Sequence, residues 1–166
     1  MTTIQAEQLT RENFQNFGSY QNLLDISDRL EKWEDGESGF FPDLVQLNFG
    51  GGNPACASVC RVLKQDGAVI DFTEFHKYTA EGILPLDGDC VIYVGKNYHG
   101  VTSAKLLAFR VPKGTFVSLR AGVLHGKQIV FDQEAVHVLI LLPEHTYEND
   151  CEIIRFSEED YVQVIV

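Results

Sequence analysis

From residue 44 onward, apolar residues fall in short alternating or β-branched runs punctuated by Gly, Asn, Asp and Pro. Residues 44–49, 55–63, 69–76, 83–86, 90–94, 106–111, 115–119, 127–131, 135–142, 151–156 and 161–166 each read as a strand. Many short strands at this spacing predict a barrel or sandwich. Asp87-Gly88 and Pro112-Lys113-Gly114 each lie between two runs and predict hairpins, because each offers a residue free to take positive φ. The Gly50-Gly51-Gly52 triplet lacks the Lys and Ser/Thr of a phosphate loop, and reads as a turn or bulge.

The first third has a different texture. In LTRENFQNFG, Leu9, Phe14 and Phe17 fall near helical spacing and Gly18 stops the turn. Ser27 then caps a second short helix, DRLEKWE, with Glu31 in its first turn. The chain therefore reads as one all-β domain: a helical and loop segment over 1–43, then a β-barrel over 44–166.

Composition supports a packed protein, since 45% of residues are hydrophobic and 11 are Phe. At 166 residues, folding buries about 70% of the surface of the unfolded chain. The net charge of -11 gives no footprint for phosphate backbones or anionic lipid, so neither nucleic acid nor membrane is expected as a partner. MTTIQAEQLT lacks the basic and apolar regions of a leader, and the expectation is a soluble cytoplasmic protein. Cys56, Cys60, Cys90 and Cys151 form no CxxC pair and are expected as reduced, mostly buried thiols. The apolar C-terminal run YVQVIV would be a hazardous free edge, which favours a dimer.

Candidate chemistry enters with Glu74 and His76, two apart in a strand-like run and hence on one face. Glu81 follows five residues later and Gly88 seven after that. This spacing resembles the first cupin motif, His-x-His-x4-Glu-x6-Gly, with Glu74 in place of the first His. Gly114, Gly122 and His125 match the second motif, Gly-x5-Pro-x-Gly-x2-His-x3-Asn, with Arg120 for Pro and Ile129 for Asn. Taken singly, the two acids read as exposed strand residues and His125 as a core histidine; together the four read as a site. Imidazole with carboxylate suits a divalent transition ion, Ni, Mn, Fe, Co or Zn, and affinity order alone does not choose among them.

Tyr78 shares strand parity with His76, and Lys127 with His125, so each is a candidate for holding an anionic or hydroxyl-bearing ligand. Arg110 is a candidate for bidentate capture of a ligand carboxylate. His99 and His145 read as loop residues, and His137 as core or ligand.

Over most of its length the chain resembles the ureidoglycolate lyase (ureidoglycolate hydrolase) family of cupins. LTRENFQNFG is similar to its N-terminal signature, and Glu74, His76, Pro85 and Gly88 match its central block. Gly122 to His125 matches the stretch ending in its pocket histidine, and NDCEI from Asn149 is similar to its late acidic-Cys-acidic segment. Lys77, Leu119, Leu124 and Lys127 stand where the family carries Pro, Tyr, Trp and Pro, and Glu81 where it carries an uncharged residue.

The resemblance implies a cupin double-stranded β-helix, or jelly-roll barrel. It also implies a homodimeric lyase that eliminates urea from ureidoglycolate to give glyoxylate, in the allantoin branch of purine catabolism. Glu74, or a metal-activated water, would be the base and His125 the proton donor, with Arg110 or Lys127 on the carboxylate of the small-molecule substrate. The fuller metal set leaves open a metal-dependent cupin isomerase or oxygenase, and a non-catalytic binding cupin is a third reading.

Overall fold

The computed structural model describes residues 1–27, 39–96 and 105–166. Its strands are β1 (Thr2–Gln8), β2 (Gly18–Asn22), β3 (Ala55–Leu63), β4 (Ala68–Ile70), β5 (Phe72–Phe75), β6 (Glu81–Pro85) and β7 (Cys90–Lys96). They continue with β8 (Leu107–Val111), β9 (Thr115–Leu119), β10 (Val123–Leu124), β11 (Ala135–Pro143), β12 (Glu152–Arg155) and β13 (Val162–Ile165). The only α-helices among the described residues are the single turns α1 (Arg11–Phe14) and α2 (Thr146–Asn149).

The strands form one sheet in the order β10-β7-β8-β1-β13-β4, a second in the order β2-β9-β6-β11-β3, and a small β12-β5 pair. Together they make the curled, mostly β architecture expected of a double-stranded β-helix. Alternation explains β11, where Val136, Val138, Ile140 and Leu142 are buried and the residues between them face partly outward. In β7 both faces are covered, which is why CVIYVG is continuously apolar. Ile92 and Val94 join the interior between the sheets, whereas Val91 and Tyr93 pack with Ala6, Ile70 and Val162 on the other face. The buried Tyr93 hydroxyl is satisfied by the Phe72 carbonyl at 3.0 Å.

The N-terminal segment is the largest departure from expectation, since strands flank its one helical turn. Thr2–Gln8 pairs in parallel with both β13 and β8, a long-range partnership that a stretch with only Ile4 and Ala6 inward does not advertise. The α1 turn is held by a reciprocal cap: Asn13 N–H donates to Thr10 Oγ1 and Thr10 N–H to Asn13 Oδ1. It delivers Phe14 edge-on to Phe109, with ring centroids 5.4 Å apart, deep in the interior. The expected second helix after Ser27, and His99, lie outside the described residues.

Neither turn expected to close a hairpin does so. Asp87-Gly88 carries the chain from β6 to β7 and Pro112–Gly114 from β8 to β9, so both cross between sheets. Gly114 does adopt φ 77°, but Gly88 has no positive φ; a Cβ there would collide with the Gln133 side chain. Residues 44–49 form no strand beyond an isolated Phe49–Thr79 bridge. That segment instead lays Leu47 over Gly82, where a Cβ would meet it at 3.0 Å. Residues 127–131 contribute only isolated bridges from Ile129 and Val130. The C-terminal run is no free edge, because β13 lies between β1 and β4. All four cysteines are free, with Cys90 buried and the others half-buried.

Candidate metal centre

Two chain crossings bring the site together. Strand β5 ends at Phe75, residues 76–80 bend back, and Glu81 opens β6 beside Leu119, on the same inward face as Ile83. The second half comes from the turn at Arg120–Val123, whose third residue, Gly122, has φ 80°, a position that favours glycine. Backbone bonds fasten the halves: Glu74 N–H donates to the His125 carbonyl at 2.7 Å and His125 N–H to the Glu74 carbonyl at 2.9 Å. Gly122 N–H also donates to the His76 carbonyl at 2.6 Å.

His76, Glu81 and His125, all buried, offer three ligand atoms within 4.8 Å of one another. Glu81 Oε2 lies 3.0 Å from His76 Nε2 and 2.9 Å from His125 Nε2. On the far side of each ring, Nδ1 meets a main-chain carbonyl: Asp150 for His76 at 2.6 Å, and Val123 for His125 at 2.8 Å. A carbonyl only accepts, so both Nδ1 atoms carry hydrogen. Both Nε2 atoms thus face one carboxylate oxygen, and each needs a proton or a shared cation between them. Buried imidazoles anchored through Nδ1 to carbonyls are the arrangement that presents Nε2 to a metal.

Electrostatics follow the same geometry. Burial raises the Glu81 carboxyl, but the two imidazoles outweigh it and hold its pKa well below the usual range. Burial lowers His125, while the Glu81 charge and hydrogen bond raise it further, leaving it above an ordinary imidazole. The donor set of two nitrogens and one oxygen fits Mn, Fe, Co, Ni or Zn.

Glu74 borders this group without joining it. It is paired directly opposite His125, so the two side chains share a face, and its Oε2 receives the Cys151 thiol hydrogen at 3.4 Å. Burial, then the Glu74 charge, push Cys151 up to about 12, so it is a neutral donor. Tyr147, on α2, stands edge-on to His76 with centroids 6.1 Å apart. Burial and the charges of Glu81 and Glu74 raise its phenol, which stays protonated. Asp150 does double duty, its carboxylate accepting the backbone N–H groups of Lys77 and Tyr78 at 2.8 and 3.0 Å.

The other expected residues lie elsewhere. Tyr78 is 71% exposed, because the strand stops before it. Lys127 is exposed. Arg110 lines a separate hollow with Gln8, Asp89, Phe131 and Asp132. It alternates with Phe109 and Val111, which occupy the interior, and so faces away from the cluster. Asp150 falls within the NDCEI stretch but had no signal of its own in the sequence, and Tyr147 had none.

A curled two-sheet β structure gathering two imidazoles and a carboxylate from two chain crossings defines a cupin. The chain belongs to the ureidoglycolate lyase family, whose model, described as ureidoglycolate lyase, matches residues 1–163. A search of curated protein sequences returns no match. Among solved structures the chain is similar to RmlC from Streptococcus suis in complex with dTDP-D-xylose, at 15% identity and TM-score 0.39, over 54% of this chain and 44% of that one. It is also similar to the formate complex of Lactobacillus farciminis oxalate decarboxylase, at 12% identity and TM-score 0.43, over 62% and 27%. For Bacillus subtilis oxalate decarboxylase, described with Mn(II) centres, the values are 13%, 0.41, 62% and 24%. The chain thus spans less than half of RmlC and about a quarter of each decarboxylase.

Proposed function

We propose that this protein is a lyase that cleaves ureidoglycolate into glyoxylate and urea, with the His76-Glu81-His125 group as its metal centre. The observation that carries the reading is the pair of Nδ1-anchored imidazoles whose Nε2 atoms converge on one buried carboxylate oxygen. Family membership supports the reaction class.

His76, Glu81 and His125 would hold a divalent ion, which when bound would supply Lewis acidity toward the substrate's oxygens. Glu74, on the same face as His125, accepts the hydroxyl proton while the oxygen's electron pair forms the carbonyl. The carbon–nitrogen bond breaks, and the same proton passes from Glu74 to the departing urea nitrogen. Atoms and charge balance with one carboxylate. The Cys151 hydrogen bond holds the carboxylate in place between transfers. Without a cation, His125, held above an ordinary imidazole pKa by Glu81, would give the proton to the urea nitrogen, and Glu74 opposite it would return the hydroxyl proton to His125.

Purified protein given ureidoglycolate is expected to release glyoxylate and urea in equal amounts. Glu74→Gln is expected to lower kcat about 10²–10⁴-fold with a smaller change in KM. Unchanged turnover in that variant would remove Glu74 from the reaction. Glu81 also favours a second reading, a metal cupin isomerase or oxygenase, because a charged third ligand is more than the family pattern supplies. Full metal occupancy with no ureidoglycolate turnover would favour it.

A further inference from the structure

A cavity of about 510 Å³ opens on the outer side of the second sheet, behind the wall that carries His76 and Glu81. Its volume is that of an ordinary small-molecule site. Ser118 and Ala80 are part of its lining, both on the opposite face from the inward Glu81 and Leu119. Gln46 and Asn48, two apart in the extended segment that crosses this face, also line it. Leu47 between them packs on Gly82. Tyr78 and Arg120 complete the lining with Ser19.

Two features mark it as more than a surface dent. Ser118 is 5% exposed and borders the cavity, where its hydroxyl is open to a ligand. Its hydroxyl is free to donate to or accept from a ligand atom in the cavity. Among the described residues Arg120, itself exposed, is the only charged one in the lining, and it has no acidic partner there. In a chain of net charge -11, an unpaired guanidinium beside two amides, two hydroxyls and a phenol is matched to one anionic group.

We infer that this outer cavity is a second binding site, distinct from the metal centre, for a small carboxylate that also carries an amide or hydroxyl group. Arg120 takes the carboxylate, and Ser118, Gln46 and Asn48 take the polar remainder. The cavity shares its wall with the cluster: Tyr78 N–H is held by Asp150, whose carbonyl holds His76, and Gly122, two residues after Arg120, donates to the His76 carbonyl. The site stands independently of the lyase reading.

The test uses full-length, metal-stripped protein with N-carbamoylglycine and, separately, malate as probes, followed by amide chemical-shift titration. Shifts are expected at Ser19, Asn48 and Ser118, with binding weakened at least tenfold by Arg120→Gln and left unchanged by His125→Ala. Ser118→Val, which removes the hydroxyl at similar volume, is expected to weaken binding in the same direction and guards against misfolding of the arginine variant. The inference is overturned if neither probe shifts these amides, or if His125→Ala abolishes binding while Arg120→Gln and Ser118→Val leave it intact. The last pattern would place the probe in the barrel and would leave the lyase reading standing.

Discussion

The Nδ1–H of His76 donates to the main-chain carbonyl of Asp150 at 2.6 Å, while the carboxylate of the same aspartate holds the next two backbone amides. One residue from the C-terminal part of the chain therefore sets both the tautomer of His76 and the path of the loop that carries it. Asp150→Ala is expected to weaken Mn or Zn binding about 10–100-fold. Calorimetric titration of the stripped protein measures this. Wild-type affinity in the variant would show that the loop keeps its shape unaided.

Glu81 Oε2 lies 3.0 Å from His76 Nε2 and 2.9 Å from His125 Nε2, with all three side chains buried. Removing one partner of a buried charged group costs about 3–5 kcal/mol. Glu81→Ala is expected to lose that much stability in metal-free protein and to lose metal binding as well. Denaturant unfolding reads the first, and elemental analysis the second.

How much of this was legible depends on where each residue's partners lie. His76, Glu81 and His125 belong to two compact spacings, and a turn brings each spacing to the barrel mouth whatever else the chain does. Glu74 was legible through strand alternation up to Phe75, but alternation carried one turn too far misplaced Tyr78. Arg110 sits on a strand covered on both faces, so parity alone could not say which face meets the site. Asp150, Cys151 and Tyr147 reach the cluster only through the packing of β12 and α2, some seventy residues away in sequence. Tight turns look alike in sequence whether they join neighbours or cross between sheets, and both turns here cross.

The interior aromatic cluster provides a stability test apart from the site. Phe109 is fully buried and meets Phe14 and Phe17 at ring-centroid distances of 5.4 and 6.3 Å. Phe109→Ala is expected to cost about 3–5 kcal/mol, seen as a lower denaturant midpoint. A loss near zero would mean that the α1 turn does not hold Phe14 in the interior.

Asp87 gives a pH test away from the His76-Glu81-His125 group. Its carboxylate accepts the His137 backbone N–H at 2.7 Å and faces His137 Nδ1 at 2.6 Å. The backbone bond first, and then the imidazole, hold its pKa below the ordinary aspartate value. A depressed folded-state pKa stabilises above the unfolded value and is lost as pH falls through the folded one. Asp87→Ala is therefore expected to lower Tm near neutral pH, and the gap from wild type should shrink below about pH 4. A gap independent of pH would contradict this sign.

On the proposed function, the His76-Glu81-His125 group and its neighbour Glu74 turn over ureidoglycolate. This is tested most directly by measuring urea and glyoxylate release by the metal-loaded protein and by its Glu74→Gln and His125→Ala variants. The wild type is expected to release both products equally, and each variant to lose about a hundredfold or more in rate. Wild-type protein that carries its metal and leaves ureidoglycolate intact, or variants as active as the wild type, would contradict this reading.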